Sequence, residues 1–70
     1  MKYRIIGNYK RGDHTIEHYY KMGDTVVIID DRGTYANCRR VSYPPGKQQG
    51  VSMIHLQKIV DNLNKNIKIL

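Results

Sequence analysis

The sequence predicts an α+β fold, a four-stranded antiparallel β-meander with one C-terminal helix and room for a short fifth strand. Three observations carry this. Val26-Val27-Ile28-Ile29 is a run of four aliphatic, mostly β-branched residues, opened by Gly23-Asp24 and closed by Asp30-Asp31-Arg32-Gly33, so it reads as a buried central strand ending in a tight turn. The segments flanking it alternate between apolar and polar residues. After Pro44-Pro45-Gly46 the apolar spacing changes to a helical period.

Taken in order, Lys2 to Asn8 alternates, with Tyr3 and Ile5 on one face and Arg4 and Ile6 on the other, a first strand near a sheet edge. Lys10-Arg11-Gly12-Asp13 is a turn, because Gly12 permits positive φ and Asp13 can bond its own backbone. His14 to Tyr20 forms a second strand, with Ile16, His18 and Tyr20 opposite Thr15, Glu17 and Tyr19. Lys21-Met22-Gly23-Asp24 then turns into the central run. Asp30-Asp31-Arg32-Gly33 fits a type I turn followed by Gly33 in the left-handed region. Thr34 to Tyr43 is the fourth strand, with Ala36 and Cys38 on one side and Tyr35, Asn37, Arg39, Val41 and Tyr43 on the other. Pro44-Pro45 ends the pairing, since neither proline can donate to a ladder, and the loop through Gly50 is polar.

Met53, Leu56, Ile59, Val60, Leu63 and Ile67 fall on one helical stripe. Ser52 is placed to cap it and Val51 to staple to Leu56, so a helix is expected from Met53 to Asn64. Ile67-Lys68-Ile69-Leu70 fits either frayed helix or a short last strand.

Two segments carry a resemblance. Tyr20-Lys21-Met22-Gly23-Asp24-Thr25-Val26-Val27 resembles the opening strand of small SH3-like and KOW-type barrels, where a Gly-Asp turn precedes alternating valines. Val51-Ser52-Met53-Ile54-His55-Leu56-Gln57-Lys58-Ile59-Val60 is similar to their closing segment, a single helical turn followed by a last strand. The resemblance implies an SH3-like small β-barrel as the alternative fold, although the stripe continuing through Leu63 and Ile67 departs from that family.

Length and composition limit function. Seventy residues make one domain, 1–70, whose core alone supplies only about 3–5 kcal/mol; a deep catalytic cleft is not expected. Cys38 is the only cysteine, which precludes an internal disulfide and suits a reducing compartment. No apolar run approaches the roughly 18 residues of a membrane span, and a cytoplasmic location is expected. Twelve Lys and Arg against six acids give a net charge of +6, spread as +3 over residues 1–23, 0 over 24–43 and +3 over 44–70. That sign favours nucleic acid or an acidic protein as partner, with no membrane role.

The chemistry-bearing residues do not assemble into an enzyme. His14 and His18 share a strand face but sit about 13 Å apart at ~3.3 Å per residue, and His55 and Cys38 have no ligand spacing with them, so no metal or other cofactor is expected. Asp30 and Asp31 read as turn formers. Cys38 has no identifiable base and reads as a small core residue.

Binding remains. Tyr35, Arg39 and Tyr43 share one strand face, a base-stacking platform that Tyr3 or Tyr19 would extend, while Lys2, Arg4, Lys10, Arg11, Arg40 and Lys47 supply contacts to phosphates. The first expectation is therefore a small basic non-enzymatic protein contacting nucleic acid or a nucleic-acid-handling protein. The second is a protein-binding module or inhibitor of the kind phages encode, docking through a sheet edge, the tyrosine face or the helix, in one version as a homodimer. Both draw on a geometric point: Val26 and Ile28 project from one face of the central strand and Val27 and Ile29 from the other, so one helix cannot cover both.

Overall fold

The structure is a computed structural model and describes residues 1–60. Its strands are β1 (Lys2–Ile5), β2 (Thr25–Asp31), β3 (Tyr35–Arg40), β4 (Gln49–Ser52) and β5 (Leu56–Lys58), with a 3₁₀ turn at Met53–His55 between the last two. They form one antiparallel sheet in the order β4-β3-β2-β1-β5.

That order requires curvature. β4 and β5 lie at opposite ends of the five-strand order, which in a flat sheet would be about 19 Å apart at ~4.8 Å per strand. Only the three residues of the 3₁₀ turn join them, and such a turn advances about 2 Å per residue. The sheet is therefore curled, its concave face enclosing the core.

Ile5, Val26, Ala36, Cys38 and Val51 fill that core from the strands, and Tyr20 enters it from the long segment 6–24 between β1 and β2; Tyr3, Ile28, Met53 and Leu56 pack around them. The central strand behaves as its pattern demands. Val26 is fully buried, Val27 and Ile28 are half-buried, and Ile29, at a bulge between Ile28 and Asp30, remains 45% exposed. The β2–β3 turn follows its composition only in part: Gly33 adopts φ 88° and its N–H is received by the Asp31 carboxylate at 2.8 Å, but Asp30 and Asp31, expected as turn formers, are the last residues of β2, paired with Asn37 and Ala36.

The C-terminal helix is the main correction. Among the described residues the stretch from Met53 holds a single 3₁₀ turn and then a strand, with no long helix. Ser52 does not cap it, because its hydroxyl accepts the Ile16 N–H at 2.9 Å. Val51 does not staple to Leu56 as expected, being buried in β4 opposite Ala36. Leu56 instead pairs with Ile5 and Lys58 with Tyr3, so the free edge of β1 claims backbone that a helix would have satisfied internally. With the β-branched Ile54, Ile59 and Val60 there, helix nucleation loses to a ready-made ladder. The rest of the expected helix, with Leu63 and Ile67, and the alternatives for residues 67–70 lie outside the described residues.

The second strand is also corrected. Residues 14–20 form no ladder, for both edges of β1 are already taken by β2 and β5. His18 and Tyr20 are nonetheless buried while Glu17 and Tyr19 are exposed, and Ile16, half-buried, lies beside Gly50 and Tyr35. The first strand stops at Ile5 rather than Asn8 because the chain next runs tight over His55: a Cβ on Gly7 would lie 2.6 Å from the ring's Cδ2. The fourth strand ends at Arg40 and not Tyr43, and Gln49 and Gly50, expected in a loop, belong to β4. The meander thus has five short strands, two of them C-terminal to the proline loop.

Candidate functional site

The outer face of the sheet collects cations by register. Lys2 pairs with Val27 and Val27 with Arg39, so the three form one cross-strand row; Arg4 stands in the next row but one, opposite Thr25 and Gln57. Lys2, Arg4 and Arg39 are all exposed. The only ion pair among the described residues joins Arg32 Nε to Asp30 Oδ2 at 2.7 Å, which leaves these three cations without an acidic partner there and neutralises the acid on the adjoining part of β2.

The expected tyrosine platform is only partly assembled. Tyr35 and Arg39 share the outer face, but Tyr35 is half-buried, its ring beside Gly50, where an added Cβ would lie 3.6 Å from Cδ2 and 3.8 Å from Ile16 Cδ1. It packs. Tyr43 lies beyond the end of β3, 94% exposed. Lys10 and Arg11 occupy the turn that Asp13 closes, where the Asp13 carboxylate receives the Lys10 and Thr15 N–H groups. Those bonds, with the Thr15 hydroxyl foremost, hold the Asp13 carboxyl below the usual range.

Arg40 and Lys47 belong to a different surface. Arg40 projects from β3 toward the concave side and, with Tyr19, Tyr20, Pro45, Gly46, Lys47 and Gln49, lines a shallow cleft of ≈ 140 Å³. Its Nη2 donates to the Pro44 carbonyl at 3.0 Å, which anchors the guanidinium at the rim. Tyr19 and Gln49 were not singled out together by sequence reasoning. Tyr19 was expected only to extend the Tyr35–Arg39–Tyr43 platform, and nothing local could bring it beside β4, thirty positions along the chain.

The segment presenting Tyr19 is fixed by side chains. Asn8 donates through Nδ2 to the His18 carbonyl at 2.9 Å and accepts the His18 N–H on Oδ1 at 3.1 Å. Tyr19 N–H donates to Gln49 Oε1 at 2.7 Å, and the Tyr20 hydroxyl to the Cys38 carbonyl at 2.9 Å. His18 is buried as a neutral ring: Nδ1 accepts the Tyr20 N–H, so the proton is on Nε2, which donates to the Gly7 carbonyl at 2.7 Å. His55 packs against it edge to face with ring centroids 6.2 Å apart. The two histidines are core pieces; among the described residues no three His, Cys, Asp or Glu side chains gather as a metal site would need.

Burial pushes the Cys38 thiol up to about 11, and burial likewise raises the Tyr20 hydroxyl. A protonated, enclosed thiol is a poor nucleophile. Among the described residues no helix is long and apolar enough to cross a membrane.

No protein-family model, curated protein or solved structure matches this chain. The likeness to SH3-like and KOW-type barrels accordingly rests on its two short segments and on the 3₁₀ turn followed by a last strand that the second of them forms.

Proposed function

We propose that this chain is a small, non-enzymatic cytoplasmic binding protein that contacts nucleic acid through the outer face of its sheet. The observation that carries the reading is the row Lys2–Val27–Arg39 with Arg4 nearby, cations clustered by strand register with no acid to pair them among the described residues. Side chains of this kind set against a sheet suit a phosphate backbone, whose binding is driven by counterion release. The reading as non-enzymatic draws on Cys38, whose enclosed, protonated thiol is a poor nucleophile. A buried free thiol also suits the reducing cytoplasm.

The test is binding of duplex and single-stranded probes at two salt concentrations. For duplex, log affinity is expected to fall steeply with log salt. Lys2→Ala/Arg4→Ala/Arg39→Ala should flatten that slope by roughly 2–3, at ~0.9 for each phosphate the variant no longer neutralises. Affinity indifferent to salt, or a slope the triple variant leaves unchanged, would remove this reading.

One observation favours a second reading, docking of an acidic protein or of a second copy. Ile29, unpaired at the bulge between Ile28 and Asp30, is 45% exposed, an uncovered aliphatic side chain on the strand that also carries the Lys2–Val27–Arg39 row. Capture from lysate with and without nuclease separates the two: a stoichiometric partner that survives nuclease favours docking. Native mass measurement reports a homodimer directly.

A further inference from the structure

The cleft between the long segment and the proline loop differs from the outer face in what it offers. Two of its lining residues, Arg40 and Lys47, are cationic and none is acidic, so it suits an anionic group. Arg40 is held in place through the Pro44 carbonyl, and its guanidinium retains further N–H donors. Beside them stands Tyr19, 81% exposed, yet carried on a backbone tied down at His18, Tyr19 and Tyr20. An exposed aromatic ring on an ordered backbone loses little freedom when something flat covers it.

Size narrows the ligand. At ≈ 140 Å³ the cleft falls short of the roughly 300 Å³ at which small-molecule sites begin, so it fits one group of a longer chain. A cation pair next to a rigid aromatic is the pairing that unpaired nucleotides use, the base stacking while the backbone is neutralised; in a duplex the base face is already occupied. Resting on the reading that this chain binds nucleic acid, we propose that the cleft is a subsite for one unpaired nucleotide, its base stacked on Tyr19 and the adjoining phosphate held by Arg40 and Lys47. The subsite gives the protein a preference for single-stranded over duplex probes that the outer face alone does not provide.

Fluorescence anisotropy at low salt tests this with three probes: a short oligothymidylate, the same sugar-phosphate strand lacking bases, and a phosphorylated peptide. Tyr19→Ala is expected to weaken oligothymidylate binding about tenfold, toward the lower end of the range for one stacked base, and to leave the abasic strand unchanged; Tyr19→Phe keeps the affinity. Lys47→Ala weakens both strands and lowers the salt slope by about 0.7, the single-strand value per phosphate. Both side chains are exposed, so the variants fold. The subsite is overturned if Tyr19→Ala affects both strands alike or neither, or if the phosphopeptide binds more tightly than oligothymidylate. Lys2→Ala/Arg39→Ala separates the two readings: should it abolish binding while the Tyr19 and Lys47 variants change nothing, the outer-face reading stands and the subsite falls. If no strand binds at all, both fall.

Discussion

The β2–β3 hairpin and the segment 6–24 lie against the same core but are held by different means. The hairpin is fixed by a backbone ladder from Val26↔Arg40 to Asp31↔Ala36, interrupted once by the bulge at Ile28/Asp30. The segment has no ladder. Its backbone is satisfied piecemeal, by isolated backbone bonds such as those from Ile6 N–H to the His55 carbonyl and from Gly23 N–H to the Ile5 carbonyl, and by the side chains of Asn8, Asp13, His18, Gln49 and Ser52. A ladder spreads its cohesion over many equivalent bonds, whereas a pinned segment depends on a few irreplaceable ones. It can therefore open while the sheet persists.

The largest effect should come from Val26→Ala, which hollows the core under both regions. Deleting two methyl groups from a fully buried site is expected to cost about 2–4 kcal/mol by transfer and cavity together. In a domain with about 3–5 kcal/mol to lose, chemical denaturation should then show ladder and segment melting together; separate transitions would mean they do not share one core.

Next is pH. An unfolded Cys38 thiol ionises near 9.0 and the folded one at about 11. Below pH 9 both states hold the proton and the group has no influence. Between the two values only the unfolded chain releases it, so stability falls as pH rises, by about 2–3 kcal/mol in all. Tyr20, raised in the same direction, adds to the loss. Urea midpoints measured from about pH 8 to about pH 11 should decline, and Cys38→Ala should flatten the curve.

Asn8→Ala sharpens the contrast. It leaves the buried His18 backbone N–H and carbonyl without their partners, at a cost of about 2 kcal/mol. Hydrogen exchange should accelerate at residues 14–20 and stay slow in β2 and β3; equal loss in both would make the segment part of the sheet's cooperative unit. Smallest is Tyr20→Phe, which removes the hydroxyl's bond to the Cys38 carbonyl and is expected to cost about 1 kcal/mol, seen as a modest drop in thermal midpoint with the fold intact.

The same contrast explains what could be read in advance. In 14–20 the alternation correctly set His18 and Tyr20 apart from Glu17 and Tyr19, because facing depends on which residues avoid water. It wrongly implied a ladder, because a ladder depends on a free edge and β1 had none left. At 53–58 the helical stripe and the alternation needed for a strand coincide on Leu56, and the pairing with Ile5 decided between them. Of the expected binding residues, Lys2, Arg4 and Arg39 were brought together by register. Arg40 and Lys47 were brought instead to the cleft, Lys10 and Arg11 to a separate turn, and Tyr35 and Tyr43 apart from each other.

By itself the sequence determined the central strand, the left-handed glycine of the hairpin turn at Gly33, the basic surplus and the close-packed side of Ala36 and Cys38, all properties written in neighbours a few positions apart. Tertiary structure alone decided that the chain after Ser52 becomes a strand, that Asn8 rather than a partner strand satisfies His18, and that Tyr19 stands with Arg40 and Lys47. Each of those depends on which backbone edge or side chain is still uncommitted when distant segments meet, and local spacing carries no record of that competition.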